Sequence, residues 1–344
     1  MRLCLNLARI DKWSLLAAVR FLLASIVAVD HLETYAAVGW AATIAFGTFE
    51  AVMGFLLISG YSIGTSYAKQ PEGFLWRRIL RLYPIYFAAM AIVYLQIILL
   101  KEPKPTFVTL VINSLFLNQF LTNISFVGPA WSLSLEFWLY CLAPFLMKLS
   151  RSWLRVMVYA SFFSYVIYTI LRTLAHLPYY SGTAFGINLL LLSFVWVAGL
   201  GLSRRDIPHK AAMRDIAILF CGHASLAFAI QFGFRMKHHE IGKFFSNDMT
   251  ACLVQSLTLL AIYLLFRKFV IPDRPSLHRS SFLRTLGDIS YPLYLVHFPV
   301  YIILSHYGMK SPLLLYLIAV LVAALIYWSV DFYSKARHKN IGVN

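Results

Sequence analysis

Apolar residues run through this chain in blocks of about twenty, separated by short polar stretches. A helix rises about 1.5 Å per residue, so such a block crosses a hydrocarbon layer of about 30 Å. The blocks lie near residues 13 to 30, 42 to 62, 83 to 100, 132 to 147, 156 to 172, 184 to 202, 216 to 233, 249 to 266, 289 to 305 and 313 to 330. The pattern predicts an all-α integral membrane protein of about ten transmembrane helices. With no internal repeat, low-complexity tract or soluble appendage in view, residues 1–344 read as one membrane domain.

Charge placement sets the expected orientation, because loops rich in Lys and Arg stay in the cytoplasm. With both termini inside, 22 of the 30 basic residues fall in cytoplasmic segments, 7 fall outside, and Arg20 sits within the first span. Residues 107–121 are apolar enough for an eleventh span. Counting them would put Lys148, Arg151 and Arg155 outside, so they are expected to form a re-entrant or interfacial segment. Composition agrees: 60% hydrophobic and 13% charged residues lie far from the soluble average of about 45–50% and about 25%. The net charge of +16 then belongs to the cytoplasmic face and its anionic membrane lipids, and implies no nucleic-acid partner. Cys4, Cys141, Cys221 and Cys252 show no paired spacing, which argues against a disulfide framework or a metal site. The N-terminus imitates a signal peptide, but Arg20 interrupts its apolar region and nine spans follow, so it is expected to be retained.

Four patterns stand above this background. Ionisable groups within a bilayer cost about 2.5 to 3.5 kcal/mol each on insertion scales, so a span that keeps them usually uses them. Arg20 and His31 share the first span, about 16 Å apart along a helix, with Arg20 toward the cytoplasm and His31 near the outer boundary. A snorkelling arginine and an interfacial histidine would give the same pattern. Phe74 to Pro84 carries Arg77, Arg78 and Arg81, whose spacing brings three guanidinium groups together on one helix face, suited to a polyphosphate. Positive-inside charge alone would also explain them. Gly128 to Tyr140 places Glu136 near the depth of His31, where a carboxylate would orient the imidazole; a structural acid bonded to a neighbouring Tyr or Trp is the alternative. Ile289 to Pro299 ends in His297 near mid-membrane, a candidate site residue or a buried histidine bonded to a helix carbonyl.

Taken in order, these elements resemble the acyltransferase-3 family of multi-span membrane acyltransferases that decorate bacterial surface polysaccharides. The family's Arg and His eleven residues apart are matched by Arg20 and His31, and its phenylalanine-rich segment ending in Ser-Gly by Phe55 to Tyr61. Its Arg-x-x-Arg is Arg78 to Arg81, its Trp-Ser-Leu-x-x-Glu is Trp131, Ser132, Leu133 and Glu136, and its late Ser-Tyr-x-Leu-Tyr-Leu-x-His runs from Ser290 through Tyr294 to His297. The resemblance covers residues 13 to about 300. Two departures stand out: Met53 replaces an acid, for which Glu50 one turn earlier is the candidate substitute and partner of Arg20, and Asp331 replaces a Glu-Pro end. With few residues after Asp331, no SGNH-type esterase domain is expected.

The resemblance implies a bacterial inner-membrane enzyme that transfers an acyl group, most often acetyl, from cytoplasmic acyl-CoA to a hydroxyl of a glycan or glycolipid. It gives His31, Glu136 and Arg20 as catalytic residues and Arg77, Arg78, Arg81, Trp131, Ser132, Glu50, Tyr294 and His297 as substrate-binding ones, with acyl-CoA as substrate and no resident cofactor. His31 would serve as general base, and a covalent acyl intermediate on Ser132 or His31 stays open. The competing class is a proton-coupled transporter or lipid-linked sugar flippase, in which Arg20, Glu50, His31 and His297 would form a relay.

Overall fold

The computed structural model describes residues 10–39, 42–270 and 280–340, with side chains as far as 332. Helices fill all ten predicted blocks: α1 (Lys12–Leu32), α2 (Thr48–Lys69), α3 (Phe74–Leu100), then a short α4 (Phe107–Ser114), α5 (Trp131–Leu146), α6 (Arg151–Ala175), α7 (Ile187–Ser203), α8 (His209–Lys237), α9 (Ile241–Val270), α10 (Ser281–His306) and α11 (Pro312–Asn340). Seven of them, α1, α2, α3, α6, α8, α9 and α11, are long and apolar enough to cross a membrane. Of the other three, α5 and α7 have 16 and 17 residues, and the 26 residues of α10 are made less apolar by its prolines, tyrosines and histidines.

Several helices run beyond their predicted blocks, and the shifts in the second and third bear on the site. The second block was expected over 42–62, but Ala42–Ala45 forms a separate turn and α2 begins only at Thr48. Its end moves on to Lys69, because the polar stretch from Ser62 onward continues the helix. The third was expected from residue 83. Helix α3 instead starts at Phe74, after Gly73 turns the chain in the left-handed region (φ 61°), so Arg77, Arg78 and Arg81 belong to its first turns and not to a loop.

Residues 107–121 contain only the eight-residue α4, about 12 Å long, followed by turns. Irregular backbone of this kind is tolerated in a membrane protein when protein groups meet its polar atoms. Here Ser134 Oγ donates to the carbonyls of Phe116 (2.6 Å) and Asn118 (2.7 Å), Trp138 Nε1 donates to Phe116 (2.9 Å), and Asn113 Oδ1 accepts from the Phe126 amide (2.8 Å).

Small residues set the closest helix approaches, as expected where van der Waals packing drives association. A Cβ at Gly60 of α2 would strike the Trp196 carbonyl of α7, and one at Gly287 of α10 would strike Ala17 of α1. Contacts advance together along both pairs: Gly60 beside Trp196 and Gly64 beside Ser203, then Ala17 beside Gly287 and His31 beside His297. Each pair therefore runs parallel. Asp11 caps α1, accepting from the amides of Trp13 (3.0 Å) and Ser14 (3.2 Å), and Arg284 bonds the same carboxylate at 3.1 Å, tying the starts of α1 and α10 together.

Gly60→Ala is expected to destabilise the protein by about 1–3 kcal/mol, the usual effect of overpacking a tight contact. Thermal unfolding of the detergent-solubilised protein would measure it. An unchanged melting temperature would show that α2 and α7 can part without cost.

Candidate active site

A cavity of about 120 Å³ lies between α1, α2, α3, α5 and α10. Arg20, Arg78, Arg81, Ser132, Glu136 and Tyr294 all line it, together with Ser59, Ser62, Tyr140 and Tyr291. Three guanidinium groups thus share one chamber with one carboxylate.

Arg20, Arg78 and Glu136 are each held by a specific partner. Arg20 Nη2 donates to Ser62 Oγ on α2 (3.2 Å). Arg78 bonds Ser66 Oγ and lies over the Phe74 ring, 5.4 Å from its centroid, while its buried Nε has no partner within the protein. Glu136 accepts from Ser59 Oγ and from Tyr140 OH (2.5 Å), both through Oε1, which leaves Oε2 as the acceptor available to the chamber. Ser59 is itself fixed by Trp196 Nε1 at 3.2 Å.

The far wall is a hydroxyl pair. Ser132 Oγ and Tyr294 OH are 2.6 Å apart, and Phe55 packs edge-on against Tyr294 at 5.7 Å. Beyond this wall lie the two histidines, neither of which lines the cavity. His31 Nδ1 is 2.7 Å from His297 Nε2, the rings nearly coplanar and edge to edge with centroids 5.1 Å apart, and His297 Nδ1 is 2.8 Å from the Leu293 carbonyl. Tyr294 stands between, its ring 6.4 Å from that of His297. On its other side His31 meets Phe298 at 5.2 Å, and Tyr35 sits 6.0 Å from Phe298; His31, Tyr35 and Phe298 are all partly exposed.

Several expected relations are not found. Glu136 does not orient His31; its carboxylate is taken by Ser59 and Tyr140, and His297 occupies the orienting position. Glu50 does not pair with Arg20. It is 1% exposed and bonds His223 Nε2 of α8 at 2.8 Å, while His223 Nδ1 bonds Tyr165 OH of α6 at 2.8 Å. Arg77 turns away from Arg78 and Arg81 to the carbonyls of Gln70 and Glu72, both at 2.5 Å. Trp131 packs against the core outside the cavity lining. The relay required of a transporter is also broken up: Arg20, Glu50 and the His31–His297 pair occupy three separate places with different partners.

Sequence reasoning passed over Ser59, Tyr140, Trp196 and His223. Ser59 was visible as the serine of the Ser-Gly element and Tyr140 as the residue one turn after Glu136, where i, i+4 side chains meet. His223 was visible as an isolated ionisable residue in an apolar block. Nothing in the sequence pointed to Trp196.

Fold and cavity together define a multi-span membrane protein with a charged chamber inside its helix bundle. The chain belongs to the acyltransferase-3 family, whose model, described as an acyltransferase domain, matches residues 14–331. It is 29% identical over 96 residues, 28% of the chain, to the "Putative acetyltransferase ORF330" of Acidianus two-tailed virus, and that match spans about 28% of the viral protein's length. No solved structure matches the chain.

Proposed function

We propose that this protein is a membrane O-acyltransferase that moves an acetyl group from cytoplasmic acetyl-CoA to a hydroxyl of a glycan or glycolipid on the opposite face. The observation that carries the reading is the chamber itself: Arg78 and Arg81 at one end, Arg20 and Glu136 within, and His31 beyond the Ser132–Tyr294 wall. Guanidinium groups grip phosphate oxygens two at a time, so the nucleotide end of the donor binds at Arg78 and Arg81. A chamber of about 120 Å³ has room for a thioester with a two-carbon acyl group beside Arg20 and Glu136. Arg20 stabilises negative charge on the thioester oxygen as the carbonyl is attacked, as oxyanion-type donors do. The partly exposed rings of Tyr35 and Phe298 beside His31 give a sugar ring an apolar shelf.

Ten crossings with the arginine end in the cytoplasm fit the helix directions. With ten alternating crossings, α2 is the second and α7 the sixth, so they run parallel; an eleventh crossing at 107–121 would make them antiparallel. The basic residues then collect on the cytoplasmic side.

Transfer of label from acetyl-CoA by membranes carrying the protein, to a surface polysaccharide or glycolipid fraction, tests the activity. Arg78→Ala and Arg81→Ala are each expected to raise KM for acetyl-CoA about tenfold or more, the loss of a charge-assisted contact of about 1.5–3 kcal/mol, with Lys restoring only part. Arg77→Ala is expected to leave KM unchanged. Equal effects at all three positions would return the cluster to a purely topological role.

A further inference from the structure

The two hydrogen bonds of His297 fix the protons of both imidazoles. The Leu293 carbonyl can only accept, so His297 Nδ1, 2.8 Å away, carries hydrogen. A neutral imidazole has one N–H, which makes His297 Nε2 a lone pair. That lone pair faces His31 Nδ1 at 2.7 Å, so His31 Nδ1 must donate, and the remaining nitrogen of His31, Nε2, is left as a base.

The alternative fails on charge. A cationic His297 would donate from both nitrogens and force the proton of His31 onto Nε2, removing the base. His297 is 0% exposed, and its ring neighbours His31, Tyr294 and Tyr301 supply no anion at neutral pH. A cation there would be buried without a counter-charge, which is strongly unfavourable.

We infer that His297 is a positioning residue: through the Leu293 carbonyl it locks His31 in the Nδ1–H form and makes Nε2 the atom that takes the acceptor's proton. Full burial keeps His297 itself off the substrate. The close approach of α10 to α1 at Gly287 and Ala17 holds the two rings at bonding distance. What the base does rests on the acyltransferase reading; the tautomer does not. On that reading the acceptor O–H proton passes to Nε2 as the oxygen bonds the thioester carbonyl carbon. The carbon–sulfur bond then breaks, and the CoA thiolate takes the proton from the imidazolium, giving ester and free thiol. Throughout, His31 Nδ1–H stays bonded to His297.

Ring-nitrogen chemical shifts of ¹⁵N-histidine-labelled protein in nanodiscs at pH 8 decide the tautomer, with the His31 signals identified by their loss in His31→Gln. The expected result is a protonated Nδ1 and a bare Nε2, with the proton moving to Nε2 in His297→Leu. A protonated Nε2 in the unaltered protein, or no change in His297→Leu, would overturn the inference. In turnover, His297→Leu is expected to lower kcat about 100-fold or more without changing KM for acetyl-CoA, since a wrongly protonated imidazole cannot act as base. His297→Gln, whose amide oxygen still accepts from Nδ1–H, recovers most of it. Equal loss in both variants at equal folded yield counts against the lock, and if His297→Leu does not fold, the tautomer of the unaltered protein and the His297→Gln rate still decide. The inferred tautomer in a protein without acyl transfer would sink the acyltransferase reading alone.

Discussion

His31→Ala is expected to lower acyl transfer by about 10²- to 10⁴-fold, the usual contribution of a general base, while the protein still inserts and folds. His31 lies near the end of α1 and is only partly buried, so truncation removes its hydrogen bond to His297, worth about 1 kcal/mol, and little packing. His31→Gln should be as inactive as alanine. Its amide can donate to His297 Nε2 as Nδ1–H does, but it cannot accept the acceptor's proton at neutral pH. The measurement is label transfer from acetyl-CoA, scaled to the amount of inserted protein. Near-normal transfer by His31→Ala would remove this residue from the chemistry and leave the aromatic shelf of Tyr35 and Phe298 without a reacting group.

Breaking the Glu50–His223 pair is expected to cost stability and spare the chemistry. Glu50 Oε2 has no partner, and Oε1 depends on His223. Removing one member leaves the other buried without its hydrogen-bond partner, at about 1–3 kcal/mol and more for a charged group, whereas removing both is often much milder. Glu50→Leu and His223→Leu should each lower the melting temperature in detergent, and the double variant should recover much of the loss. Effects that add within about 0.5 kcal/mol would show that the two groups do not interact. Because the pair lies outside the chamber, the double variant should keep its acyl transfer, which separates it from the Arg78, Arg81, His31 and His297 variants above.

The chamber was largely legible in the sequence, and its wiring was not. Arg20, Arg78, Arg81 and Glu136 were singled out by residue type and spacing, Ser132 and Tyr294 by the family resemblance, and all six line one cavity. What failed was inference from depth. Arg20 meets Ser62, about 18 Å along α2 from Glu50, and Glu136 meets Ser59 at the level of Arg20 and not of His31, so counting residues in from a span's end misjudged both depths. Glu50 looks toward α6 and α8, and Glu136 toward α2, because their neighbours are set by helix packing that no single stretch of sequence encodes. The start of α3 was missed for a related reason. Helical spacing already grouped Arg77, Arg78 and Arg81, but the apolar count began the span at residue 83, whereas one unbroken helix runs from Phe74, just after the left-handed Gly73.

The Ser132–Tyr294 wall has a consequence for the membrane itself. A passage open from the arginine end to the histidine end would be a polar hole through the bilayer, and protons and ions would drain through it and collapse the gradient the cell maintains. The two hydroxyls bonded at 2.6 Å, with Phe55 edge-on to Tyr294, are on the proposed reading the contact that would keep the donor side apart from the acceptor side. On the proposed reading only a two-carbon group ever crosses that seal, carried between substrates that themselves stay on their own sides.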